Sequence, residues 1–148
     1  MAIQDAIARM QTVIEGITGI KGADQYLPEA LPTVENWVVM YPGESEFIPG
    51  LPSGYMTALY NAVIEIHTPR NTLPQAHKRI VALYDDIPIK LFDDLFDTKL
   101  NNTVSTFGNI TSTGLIAMNY AGIDTVGFRY TVRDIKIQTV ITKLSGIV

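Results

Sequence analysis

The part of this chain that most constrains its fold lies near its C-terminal end, where apolar and polar residues alternate from Asp124 to Ile141 and change phase once. Val126, Phe128, Tyr130 and Val132 share one parity; Ile135, Ile137 and Ile141 share the other, with the slip near Arg133 and Asp134. A period of two is the signature of a strand. A one-residue slip inside a strand would turn its apolar set to the wrong face, so the pattern predicts a bulge or bend that re-aims the second half. A bent strand of this length outgrows a single small sheet, and its end is predicted to lie against something else.

At 148 residues the chain is the size of one domain, able to bury about two-thirds of the surface its unfolded form exposes. Apolar residues make up 47% and charged residues only 18%, against the roughly one quarter charged that is usual. Some apolar surface is therefore predicted to be covered by other subunits. A net charge of −4 argues against general nucleic-acid binding, which needs clustered Lys and Arg to replace counterions on phosphate. Cysteine is absent, which excludes thiolate chemistry and a disulfide-held secreted fold and makes a reducing cytoplasm the default. The N-terminal segment carries Asp5 and Arg9 and lacks the uncharged core of a signal peptide. No apolar run reaches bilayer length, so no membrane partner is predicted.

Along the chain, Ile3, Ile7, Met10, Ile14 and Ile17 recur at three- and four-residue steps and predict a helix over residues 2–17, ended by Gly19 and Gly22. Trp37, Val38, Val39, Met40 and Tyr41 read as a short strand buried on both faces and closed by Pro42 and Gly43. Residues 42–54 mix proline and glycine with Glu44, Glu46, Phe47, Ile48 and Leu51, and read as a loop unable to continue a sheet. Alternation returns over residues 55–68, with a first half predicted to be covered on both sides and a second half meeting water at Glu65 and His67. The loop and that first half form a protruding arm, residues 42–60, whose Phe47, Ile48, Leu51, Tyr55 and Leu59 are the candidate interface with copies of the chain or other partners.

Asn71 or Thr72 can cap a following helix with Pro74 in its first turn and Ala76, Ile80, Val81, Leu83 and Tyr84 on its apolar side. Pro88 is predicted to interrupt it. A second helical piece over residues 89–100 presents Ile89, Leu91, Phe92, Leu95, Phe96 and Leu100 to the core. Residues 103–107 and 110–120, rich in Thr, Ser and β-branched residues and broken by Gly108 and Gly114, suit one or two strands. The order predicts a single α+β domain, a largely antiparallel sheet of about four or five strands packed against two or three helices.

Chemistry-bearing constellations are sparse. His67 and His77 are ten residues apart across a proline-containing turn, which is not metal-ligand spacing; they read as a strand-end and a helix-surface histidine. Asp85, Asp86, Asp93, Asp94 and Asp97 form the densest acidic cluster, without a calcium-loop pattern, and read as a solvated helix face. There is no nucleophile elbow, phosphate-cradling loop or dinucleotide fingerprint. No catalytic, cofactor-binding or metal-binding residue is assigned, no cofactor is predicted, and enzyme function is disfavoured. The competing reading is a small ligand-binding module or enzyme with a pocket lined by Trp37, Tyr41, Tyr60, Phe128 and Tyr130.

The order of these features resembles a family of small proteins of long-tailed bacteriophages, the tail terminator or head–tail joining (neck) proteins. The resemblance rests on the N-terminal helix running into Gly19-Ile20-Lys21-Gly22-Ala23 and the strand Trp37-Val38-Val39-Met40-Tyr41-Pro42-Gly43. It continues through Val63-Ile64-Glu65-Ile66-His67, the helix containing Leu73-Pro74, and Gly122-Ile123-Asp124-Thr125-Val126-Gly127-Phe128-Arg129-Tyr130 with Ile135-Lys136-Ile137-Gln138. It spans most of the chain. It implies a virion structural protein, assembled in the host cytoplasm into a ring, usually a homohexamer, at the head-proximal end of the tail tube. Its partners would be itself, the tube protein below and a head-completion or connector protein above. DNA would pass through the lumen without specific binding, and Asp85, Asp86, Asp93, Asp94 and Asp97 are candidates for an acidic lumen wall. A head-completion or connector role is the alternative within the same class.

Overall fold

A computed structural model describes residues 3–25, 36–50, 54–69, 73–95, 107–120 and 122–140. In chain order these form α1 (Ile3–Glu15), β1 (Gly22–Asp24), β2 (Trp37–Gly50), β3 (Tyr55–Pro69), α2 (Leu73–Val81), α3 (Asp86–Leu95), β4 (Asn109–Tyr120) and β5 (Ile123–Val140). The five strands make one sheet in the order β1-β2-β3-β5-β4. Only β1 and β2 run parallel; every other neighbouring pair is antiparallel. The α+β class with a mostly antiparallel sheet is thus the fold of the chain.

The apolar stripe of α1 buries Ala6, Ile7, Met10 and Ile14, and the periodicity that predicts this helix is the one that packs it. Ile80, Leu83, Ile87, Leu91 and Leu95 from α2, α3 and their connection join the same core. The sheet contributes Val38 and Met40 from β2, Ala62, Ile64 and Ile66 from β3, and Phe128, Tyr130 and Val132 from β5. Tyr130 donates a 2.6 Å hydrogen bond to the Tyr84 carbonyl, anchoring the α2–α3 connection to the sheet.

Three bulges shape this sheet. On β5, Val132 faces Ala62 but Ile135 faces Tyr60, so Arg133 and Asp134 together oppose Asn61. Asp134 adopts a left-handed backbone, φ 61°, and its amide donates to Asn61 Oδ1 at 3.3 Å. This is the bulge that the phase change predicts. On β2, Pro42 faces Ala62 but Ser45 faces Tyr60, so Gly43 and Glu44 also oppose Asn61. The third bulge, on β4 between Ser112 and Leu115, contains Gly114 at φ 74°. The two bulges that flank Asn61 lie on one line across the sheet. β4 begins at that line, with Asn109 opposite Arg133, and beyond it, among the described residues, only β2, β3 and β5 continue.

Several local expectations are corrected. β2 does not stop at Pro42 but runs on to Gly50, because β1 covers it only from Trp37 to Val39 and an edge strand tolerates residues without an N–H. Burial along β3 is the reverse of the expectation: Tyr55 is exposed, whereas every residue from Ile64 to Thr68 is buried. Ala62, Ile64 and Ile66 of the second half face the helical core, and the polar residues there find partners inside the protein. Pro88 interrupts no helix; it lies in the first turn of α3, where its missing N–H has no helical partner to lose. Leu91 and Leu95 are buried as expected, but Ile89 and Phe92 are 55% and 40% exposed, because α3 starts at Asp86 and so places Ile87 on the inward side. The cap residues Asn71 and Thr72, residues 103–106 and the side chain of His77 lie outside the described residues.

Candidate functional site

Two regions stand out. The first lies on the face of the sheet opposite α1, α2 and α3, which carries no helix among the described residues. In the register across it, Trp37 faces His67 and Val39 faces Glu65, while Glu65 faces Arg129 and His67 faces Gly127. Glu65 is 6% and His67 2% exposed, so a carboxylate sits in the middle of the sheet. It is fully engaged: Arg129 Nε donates to Oε2 at 2.8 Å, the Tyr41 hydroxyl donates to the same oxygen, and His67 Nε2 lies 3.0 Å from Oε1. His67 Nδ1 in turn meets Thr125 Oγ1 at 2.8 Å. Burial alone would raise the Glu65 pKa, but the hydrogen bonds from His67, Tyr41 and Arg129 outweigh it and lower it to about 2. Tyr41, desolvated and bonded to that carboxylate, is pushed up to about 12.

Electrostatically the cluster is held in one state. A carboxylate with donors on both oxygens and a depressed pKa has little basicity near neutral pH, and a phenol with a raised pKa stays protonated. The arrangement therefore aligns strands and is poorly suited to moving protons. It borders an open depression of about 410 Å3 lined by Glu65, His67, Ile116, Ala117, Met118, Asn119 and Arg129.

Glycine makes this face possible at two places. At Gly127 a side chain would begin 1.7 Å from the Ile66 carbonyl oxygen, a distance no substituent can occupy. At Gly22 a Cβ would lie 2.5 Å from the Trp37 ring, whose Nε1 donates to Asp24 Oδ2 at 2.9 Å.

The sequence reading missed this cluster, taking Glu65 and His67 for the wet face of a strand and His67 for a strand-end residue in contact with water. The available signal was an acid and a base, Glu65 and Arg129, each set in the middle of an otherwise apolar run.

The second region is the three-stranded extension beyond Asn61, which contains the predicted arm. Phe47, Ile48 and Tyr55 are 55%, 42% and 46% exposed, and Leu59 is half-buried. Leu51 lies outside the described residues. These side chains do not form one patch. Phe47 pairs with Ala58 on the helix side of the sheet and meets Tyr60 edge-on at 5.6 Å. Ile48, Tyr55 and Leu59 occupy the opposite side, the register pairing Ile48 with Thr57 and Glu46 with Leu59. The arm therefore presents apolar groups on both faces, and the structure makes it an extension of the sheet rather than an irregular loop.

The other predicted residues scatter. Asp85, Asp86 and Asp93 are exposed, and Asp94 pairs with Lys90 at 3.0 Å one turn away; Asp97 lies outside the described residues. Trp37 and Tyr41 lie on the same face as Glu65, whereas Phe128 and Tyr130 lie beneath the helices against Tyr84. No common aromatic pocket joins them, because the sheet itself separates the two pairs. Among the described residues no helix is long and apolar enough to cross a membrane. Comparison with protein-family models finds no match, and comparison with curated proteins finds none either.

Proposed function

We propose that this chain is a structural virion protein that forms a ring at the head-proximal end of a phage tail tube, ends tube polymerisation and joins tail to head. The observation that carries the proposal is the arm beyond Asn61, on which Phe47, Ile48 and Tyr55 are left exposed. Apolar groups on both faces of a protruding sheet are stabilised when neighbours cover them, and a contact repeated by a fixed rotation closes into a ring. The low charge density and the resemblance to terminator and neck proteins support the same reading. In this scheme the partners are other copies of the chain, the tube protein and a head-completion or connector protein. The acids of α3 would face the lumen and repel passing DNA.

Sizing coupled to light scattering, with electron microscopy of the protein alone and mixed with tail tubes, tests the proposal. Ring-shaped oligomers, free or capping tube ends, are the expected result. A chain that stays monomeric at high concentration and never associates with tubes overturns it. A connector role differs in its partner: the ring would then cap the head portal and leave tube ends bare.

A further inference from the structure

The arm's two margins are chemically unlike. On the β2 side, Glu44 and Glu46 are exposed beside Phe47 and Ile48, and Pro42 and Pro49 interrupt the row of backbone N–H groups. On the β5 side, Lys136 and Gln138 are exposed and residues 135–140 contain no proline. Neither margin has a neighbouring strand among the described residues: β1 reaches only to Val39 and β4 only to Arg133. Glu46 and Lys136 share one face, since both are in register with Leu59, and neither has a salt-bridge partner among the described residues. Arg133, by contrast, turns toward Thr111, its Nε donating at 3.1 Å. It shares a shallow depression with Glu44, Glu46 and Asp134 of its own chain. At the bulge line Arg133 and Asp134 of β5 carry opposite charges beside Glu44; beyond it, the charges without an ion pair among the described residues are Glu46 on the β2 margin and Lys136 on the β5 margin.

This asymmetry selects a geometry. A two-fold contact brings like margins together, so acid meets acid on one choice of axis and lysine meets lysine on the other. A head-to-tail contact brings the β2 margin against the β5 margin and pairs opposite charges. β2 and β5 run in the same direction, each being antiparallel to β3, so the facing strands would be parallel. The prolines deny that seam a continuous backbone ladder and leave it to side chains.

We infer that copies of this chain dock head to tail through the arm, the Glu44–Glu46–Ile48 margin of one lying against the Lys136–Gln138 margin of the next. This rests on the ring proposal and specifies its seam. The absence of cysteine gives a clean test. Single variants Glu46→Cys and Lys136→Cys are prepared at exposed positions, shown to keep the wild-type melting temperature, and treated with a short bis-maleimide under assembly conditions. Head-to-tail docking predicts no cross-link within either variant alone and efficient heterodimers when they are mixed. In the double variant it predicts a ladder of covalent oligomers. Charge reversal adds a second readout: Glu46→Lys and Lys136→Glu should each weaken self-association about tenfold, and an equimolar mixture of the two should restore it. Self-cross-linking of a single variant, or assembly with no cross-link in the mixture, overturns the seam while leaving the ring standing. A wild-type chain that never self-associates overturns both.

Discussion

Three strands, β2, β3 and β5, run through both halves of the sheet on either side of Asn61, yet the halves differ in how far they are buried. In the inner half β3 runs Ile64-Glu65-Ile66-His67-Thr68, and every one of those residues is buried. In the outer half the same strand starts at exposed Tyr55, and its β2 neighbour shows Phe47 and Ile48 to solvent. Alternation alone does not distinguish them. What differs is cover: the helical core and the Glu65 cluster close both faces of the inner half, whereas in the outer half only the helix side near Ala58, Ile135 and Ile137 is buried. A strand pattern therefore reports where side chains point, and only the neighbouring elements decide whether they are dry.

Gly127→Ala should break the inner half most severely, because its Cβ would meet the Ile66 carbonyl oxygen at 1.7 Å and β3 and β5 would have to part. A loss of about 4 kcal/mol or more is expected in urea denaturation; a loss under about 1 kcal/mol would mean the strands are not that close. Ile64→Ala, at a fully buried position, should cost about 2–5 kcal/mol. The matched change in the outer half, Ile48→Ala, should stay within about 0.5 kcal/mol for the monomer. Equal costs at the two sites would erase the contrast between the halves.

Glu65→Gln should cost about 2 kcal/mol, the scale of charge-assisted hydrogen bonds, and should also change how stability depends on pH. The folded-state pKa of Glu65 is depressed, so its contribution is present above its ordinary value of 4.5 and disappears as pH falls from about 4.5 toward about 2. Tyr41 acts at the other end: its pKa is raised, so its contribution is lost as pH rises from about 10 toward about 12. Denaturation of wild type and Glu65→Gln across the acid range should show the acid loss only in wild type. The smallest backbone effect lies at the boundary. Asp134→Ala should cost about 1 kcal/mol at its left-handed φ of 61°, whereas Asp134→Gly should leave stability unchanged or slightly raised.

Much of the inner half is legible in the sequence. The spacing of Ile7, Met10 and Ile14 predicts both α1 and its buried side, and the parity change at Arg133 and Asp134 predicts the β5 bulge. The outer half is harder to read, because Pro42, Gly43 and Pro49 carry strong turn signals that a sheet margin overrides. The matching bulge on β2 hides among them for the same reason. The Glu65 cluster is the least legible feature, since its members come from three strands and only the register brings Tyr41, Glu65 and Arg129 together. A polar residue at alternate positions reads as wet until a partner on another strand is known.

Asn61 has two residues opposite it on each side, so the tilt of the outer half is written as a number of residues rather than as a set of contacts. Amino-acid replacements there should leave the tilt nearly intact. Deleting Glu44 or Asp134 would act differently, leaving a single residue opposite Asn61 on that flank, so that the bulge and its bend are lost while every distal residue keeps its partner and its face. The joint is thus tolerant of drift in composition, whereas one deletion is enough to remove the bend on its flank. Length variation in this chain's descendants should therefore collect at the tip between Gly50 and Tyr55 and spare this row.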